Sequence, residues 1–314
     1  MTAAPPTDGN TLRSLLVEFV RDASTEITVH DEPLLPELRD VLGAGRVVYI
    51  AHTPKASIDA VVRTAALVQR TGLNACPHIG ARRLRNRAQL EDVLAALRTA
   101  NIRRMLLIGG DIEKSAGDFA SARAVLESGA LYTSGIESVG VAGYPEGHKR
   151  IATDSLWRAL KRKQTFAERT GTRMHIVSQF GFDPAAVGVW VGELAAHDVR
   201  LPVHVGIAGP VPLPKLIRYA IHCGIGASLN ALLKDAGALG NLATAGVGRA
   251  AATPDRMLLG IVRERAQREL YQIVKPHFFS LGGALETARW LRAVARGELR
   301  LDRDGFAIDP ASTA

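Results

Sequence analysis

Residues 26–36 read EITVHDEPLLP. A β-rich run opens the stretch, and the residues after that run decide between two folds. In an open doubly wound sheet the first strand runs into a glycine-rich turn that cradles a phosphate at the start of the next helix. Here an acid pair and two prolines come next instead. The stretch therefore favours the other way of arranging parallel strands around one core, a closed barrel.

Outward from this stretch the same rhythm repeats. Short β-rich runs occur at TEITV (25–29), RVVYIA (46–51), LNACPHI (73–79), RMLLIGG (104–110), SVGVAGY (138–144), MHIVSQF (174–180), LPVHVGI (201–207) and PHFFSL (276–281). Most are apolar almost throughout, as strands covered on both faces must be. Between them lie helical patterns with start and stop signals, such as SIDAVVRTAALVQRTG, NRAQLEDVLAALRTAN and GALETARWLRAVARGE. Strand–helix alternation implies parallel pairing through right-handed crossovers. Eight strands predict a single α/β domain over residues 1–314, a (β/α)8 TIM barrel. It carries an N-terminal extension, with residues 1–10 as a loose tail, and about three extra helical patterns within 208–275, between the last two strands.

Composition narrows the class. The chain has 314 residues, 47% of them hydrophobic, and mean hydropathy near zero. No apolar run approaches the ~20 residues that cross a bilayer, and MTAAPPTDGN has neither region of a signal peptide. Two cysteines, Cys76 and Cys223, exclude a disulfide framework and a cysteine-rich metal site. The cytoplasm is the default compartment. A net charge of +8 suits an anionic partner, but 5% aromatic content without basic–aromatic interleaving speaks against nucleic acid.

Barrel chemistry collects where strands end. The exits carry Glu26, His52, His78, Asp111, Tyr144 with His148, Gln179 and Gly206. The basic runs 81–87 and 147–150 come directly after exits, which predicts positive charge around the mouth and a large anionic ligand. Alternation places Glu26, Thr28 and His30 on one side. Inside the barrel a carboxyl at position 26 has a raised pKa, which suits a general acid. The competing reading is a salt-bridged glutamate at the rim. Asp111 is either a turn aspartate or a group beside a flat ligand that Gly109 and Gly110 admit to the backbone. His52 and His78 are as readily structural as functional. No HxH or HExxH spacing, P-loop or G-x-S-x-G elbow is present, so no metal is inferred.

Taken in order, TEITV, CPHIGARR, LLIGGD, GYPEGH, LKRK, SQFGFD, VGIAGP and HFFSLGG resemble the methylenetetrahydrofolate reductase family over about residues 25–283. The resemblance implies a flavin-dependent barrel oxidoreductase of one-carbon metabolism. It would interconvert 5,10-methylenetetrahydrofolate and 5-methyltetrahydrofolate, with FAD as cofactor and NADH or NADPH as co-substrate. By the same resemblance Glu26 is the general acid and Asp111 lies beside flavin and pterin. His52, His78, Gly109, Gly110, Asp111, Tyr144, His148 and Lys163 belong to the cofactor site. Gln179 bonds the pterin, and Tyr219 falls near an aromatic on which folate and nicotinamide stack in turn. Tetrahydrofolate derivatives are the implied partners, without nucleic acid or membrane, and the analogy extends to a homo-oligomer. Gly109 stands where the family has an arginine, leaving Arg82 or Arg83 to supply that charge. Two other classes fit parts of the pattern: a flavin-free barrel methyltransferase using methyltetrahydrofolate, and a non-catalytic folate-binding barrel.

Overall fold

The computed structural model describes residues 8–225, 229 and 251–309. Eight parallel strands close into a barrel: β1 (Ser24–Ile27), β2 (Val47–Ile50), β3 (Asn74–Gly80), β4 (Arg104–Ile108), β5 (Ser138–Gly143), β6 (Arg173–Ser178), β7 (Val203–Ala208) and β8 (Ile273–Phe279). Each pairs with its neighbours in chain order, and β1 closes on β8 through Ser24 opposite His277 and Thr25 opposite Phe278. All eight sequence runs are strands, and the closed-barrel expectation holds.

Most strands are apolar on both sides because they face two cores. Val48, Ile50, Ile79, Leu107, Val141, Ile176, Val205 and Phe278 belong to the large outer core that the helices cover. Tyr49, Cys76, Leu106 and Val177 form a separate cluster within the barrel. Helices start where side chains take up free backbone N–H groups. Ser57 accepts from Ala60 N–H ahead of Ile58–Arg70, Asn86 from Gln89 N–H ahead of Arg87–Thr99, and Asp183 from Ala185 and Ala186 ahead of Pro184–Ala196.

The N-terminal extension differs from expectation. Residues 9 and 10, read as tail, open the helix Gly9–Val20, because Asp8 caps it at Thr11 N–H and Leu12, Leu16, Phe19 and Val20 bury one face. That helix packs on helices Asp255–Gln267 and Ala284–Ala295. Of the helical patterns expected within 208–275, Leu213–Cys223 and Asp255–Gln267 are present, and residues 226–228 and 230–250 of that stretch lie outside the described residues. Two short antiparallel strands, Val211–Pro212 and Ala251–Ala252, bracket it. Among the described residues no helix is long and apolar enough to cross a membrane.

Candidate active site

The strand exits open into one cavity of about 1800 Å³. Its wall includes Glu26, His52, His78, Gly109, Gly110, Asp111, Tyr144, His148, Lys163, Gln179 and Tyr219. Every residue given a site role by the family resemblance therefore lines the same space, although they come from separate crossovers, while Gly206 at the β7 exit does not.

Glu26 is the innermost acid. β1 ends at Ile27 because Thr28 turns to cap the 3-10 helix Val29–Leu34, where its hydroxyl and N–H meet Asp31. The expected alternation Glu26–Thr28–His30 thus stops after Glu26, and His30 is exposed. The Glu26 side chain is 15% exposed, with His78 Nε2 at 3.4 Å and His277 Nε2 at 4.0 Å from its Oε2. None of those three atoms has a hydrogen-bond partner among the described residues. Burial raises the Glu26 pKa against a smaller opposing pull from His78. Burial pushes His78 down to about 4, and burial with nearby Lys275 pushes His277 to about 3. The spacing is that of an ion pair, but burial works against the charged form of all three groups, raising the acid and lowering both rings. With 15% exposure, Glu26 sits inside the barrel opening rather than at a solvent-exposed rim.

The β2, β3 and β4 exits interlock. Gly110 takes φ +95°, a left-handed backbone natural to glycine, and Gly109 O accepts from Arg82 N–H at 2.9 Å. Asp111 is ion-paired with Arg83 at 2.6 Å, while Arg83 also reaches Pro54 O. The Arg82 guanidinium binds the carbonyls of Ala120 and Ile112. Arg83 is therefore not a spare charge for a ligand at Gly109, whereas Arg82 is positioned by neutral carbonyls that leave its charge uncancelled at the cavity wall. His52 Nδ1 is buried with no hydrogen-bond partner among the described residues, and burial followed by Arg83 lowers the ring to about pKa 4.

Across the mouth, Tyr144 and His148 meet edge to face at 4.9 Å. Burial raises the Tyr144 phenol and lowers His148. Lys163, on helix Thr153–Thr170, is partly buried, and burial lowers its amine to about pKa 8. No partner meets it among the described residues. At the β6 exit Gln179 N–H bonds Gly143 O at 2.8 Å, and its side-chain oxygen accepts from Phe180 N–H at 3.1 Å. Tyr219 projects from helix Leu213–Cys223. The ring of positive charge expected from runs 81–87 and 147–150 is only partly ion-paired. Arg83 and Arg150 are ion-paired, Arg87 pairs with Glu91, and Lys149 donates to Ile221 O.

Below Glu26 lies a polar column that sequence reading missed. Ser24 Oγ and His277 Nδ1 are 2.9 Å apart, and Tyr49 Oη and His175 Nε2 are 3.0 Å apart. His175 stacks on His204 at 4.1 Å. The available signal was a histidine set inside apolar runs, in VHV, MHIV and KPHFF. Among the described residues no group of three or more His, Cys, Asp or Glu is placed to hold a metal ion.

The profile of the methylenetetrahydrofolate reductase family matches residues 45–226, more than half of the chain. The chain belongs to the methylenetetrahydrofolate reductase family. The family match runs from β2 to the end of helix Leu213–Cys223, so it takes in every cavity residue singled out above except Glu26. It also ends before His277. The strand that carries the acid and the strand that carries His277 thus lie outside the matched part, and they pair with it through β2 and β7. Solved structures with a similar course include a provisionally assigned phosphonomutase from Burkholderia cenocepacia, with 13% identity and a TM-score of 0.44 over 76% of this chain and 98% of that one. A provisionally assigned racemase matches at 7% identity and a TM-score of 0.34, over 62% of this chain and 49% of that one. Both likenesses are too distant to carry a function.

Proposed function

We propose that this chain interconverts 5,10-methylenetetrahydrofolate and 5-methyltetrahydrofolate, with NADH or NADPH as the other substrate and FAD as cofactor. Family membership supports a folate-related reductase, and one observation carries the finer reading. Glu26, Asp111 and Gln179, contributed by β1, the β4 exit and the β6 exit, line the same cavity.

The chain's residues divide the work. Glu26, whose protonated form burial favours, gives its proton to the folate nitrogen that leaves the methylene carbon, and takes it back in the reverse direction. Gln179 presents an amide donor and acceptor to the pterin's amide-like edge. Phe180 and Phe279 line the wall nearby and exclude water from the carbon that changes oxidation state. Tyr219 supplies a stacking face.

The residues present fit a flavin. Gly109 has no atom within 4 Å of where a Cβ would stand, so a flat ring can lie against that backbone. Lys163 offers a cation to a diphosphate, with Tyr144 and His148 along the wall between them. When bound, FAD supplies hydride transfer between the nicotinamide and the one-carbon unit. A single stacking slot used in turn implies ping-pong kinetics.

The test is the visible spectrum of the purified protein. Flavin bands that bleach with NADH or NADPH and return with methylenetetrahydrofolate are the expected result. The second reading, a flavin-free methyltransferase barrel, is favoured by Gly109 in the family arginine's place with Arg83 committed to Asp111. Protein that stays colourless with added FAD, and moves a methyl group from methyltetrahydrofolate to a thiol or corrinoid, would establish it instead.

A further inference from the structure

Three orphaned polar atoms meet beneath the cavity: Glu26 Oε2, His78 Nε2 and His277 Nε2. An unsatisfied buried polar group costs about 1–3 kcal/mol. If all three were bare acceptors, nothing could relieve any of them. Hydrogen must lie between them, and the question is which atoms carry it.

The far side of His277 answers for that ring. Its side chain is fully buried, and its Nδ1 lies 2.9 Å from Ser24 Oγ, also fully buried. Among the described residues this is the only hydrogen bond that the Ser24 hydroxyl makes. If Nδ1 carried the hydrogen, Ser24 would accept, its own O–H would lack an acceptor, and a bare Nε2 lone pair would face the carboxyl. If Ser24 donates, both its hydroxyl and Nδ1 are satisfied, and the ring hydrogen falls on Nε2, facing Glu26. The second arrangement leaves fewer groups orphaned. Tyr49 and Phe279 hold the imidazole plane, with ring centroids at 4.4 and 4.8 Å.

We propose that His277 is a positioning residue for the acid: Ser24 fixes it as the Nε2–H tautomer, and that N–H steadies the Glu26 carboxylate formed each time the proton is given up. His277 does not line the cavity, so it acts through Glu26 and touches no substrate. The need is plain from the surroundings. Once spent, Glu26 is a buried anion whose nearest groups are two neutral rings, and without a donor its formation would oppose proton transfer. The 4.0 Å spacing is longer than a hydrogen bond, and catalytic contacts of this kind shorten when a ligand closes over them.

The inference rests on the reductase reading, and two experiments separate the two. The first needs no turnover. Nitrogen-15 spectra of histidine-labelled protein, with His277 assigned by its loss in His277→Gln, report the tautomer. Nε2–H in the wild type, becoming mixed in Ser24→Ala, is expected; Nδ1–H in the wild type overturns the proposal. The second compares two truncations under methylenetetrahydrofolate turnover. Glutamine places its amide where Nε2 stood, whereas asparagine places it where Nδ1 stood. His277→Asn is expected to lower kcat about tenfold or more with KM within about twofold, while His277→Gln stays within roughly threefold of the wild type. Equal losses in the two variants, at equal thermal stability, overturn it. An Nε2–H tautomer in protein that reduces no folate would refute the reductase reading alone.

Discussion

Replacing Glu26 by glutamine separates the acid's chemistry from its shape. Glutamine keeps the length and plane of the side chain but has no proton to give. A positioned general acid contributes roughly 10²–10⁴-fold, which at about 1.4 kcal/mol per decade is about 3–5.5 kcal/mol of barrier. The surroundings of Glu26 place it toward the upper end. Its carboxyl is 15% exposed, and both neighbouring imidazoles are kept neutral by burial, so no cation stands ready to do the same work. The expected loss in single-turnover reduction of methylenetetrahydrofolate is about 10³–10⁴-fold, with substrate affinity largely retained.

Folding stability should move the other way. Burial holds the Glu26 pKa above its unfolded value. The stability this group provides is therefore full below the unfolded value, near 4.3, and is lost as pH rises through the folded value. Glutamine carries no charge to bury. Glu26→Gln should match the wild type in urea melts near pH 4 and exceed it near pH 8, each unit of displaced pKa being worth about 1.4 kcal/mol. Turnover within roughly threefold of the wild type, or a stability gap that does not widen with pH, would refute the reasoning.

Acid should unfold the protein steeply. Burial holds His52 and His78 near pKa 4, and His175 and His277 near 3, so the stability that depends on them is full above about pH 6.5 and is lost as pH falls through those values. Each adds about 1.4 kcal/mol per pH unit to the decline between roughly pH 6 and 4, and urea titrations that stay flat to pH 4 would show that these rings are not neutral. Gly140→Ala would set a Cβ 2.8 Å from Leu106 Cδ1 and 2.9 Å from His175 Nε2, breaking the Tyr49–His175 contact. It should cost about 1–3 kcal/mol by chemical denaturation. Lys163→Ala should weaken FAD binding about 10–100-fold by titration calorimetry, the worth of one charged hydrogen bond; an unchanged affinity removes Lys163 from the cofactor site.

The barrel was legible because its strands are buried on both sides and so read as unbroken apolar runs between capped helices. The cavity residues were legible because strand exits form a geometric class: once β4 was placed at RMLLI, Asp111 had to stand at the mouth. Two things were not. Charge at the mouth read as wholly free because a sequence does not show that Arg83 folds back on Asp111 or that Arg150 pairs with Glu113. The interior histidines were hidden because a histidine inside an apolar run looks the same whether it points to the helices or to the barrel axis. Only the register, with Ser24 beside His277 and Tyr49 beside Cys76, reveals which.

The seam between β1 and β8 has a consequence for how the protein comes alive. Ser24 and His277 are separated by 253 positions along the polypeptide, yet they touch. Contacts this distant form late and slowly, after shorter loops have closed. A ribosome must therefore finish nearly the whole chain before the acid acquires its neighbour, and a truncated or half-assembled product would carry the glutamate without the setting that makes it useful.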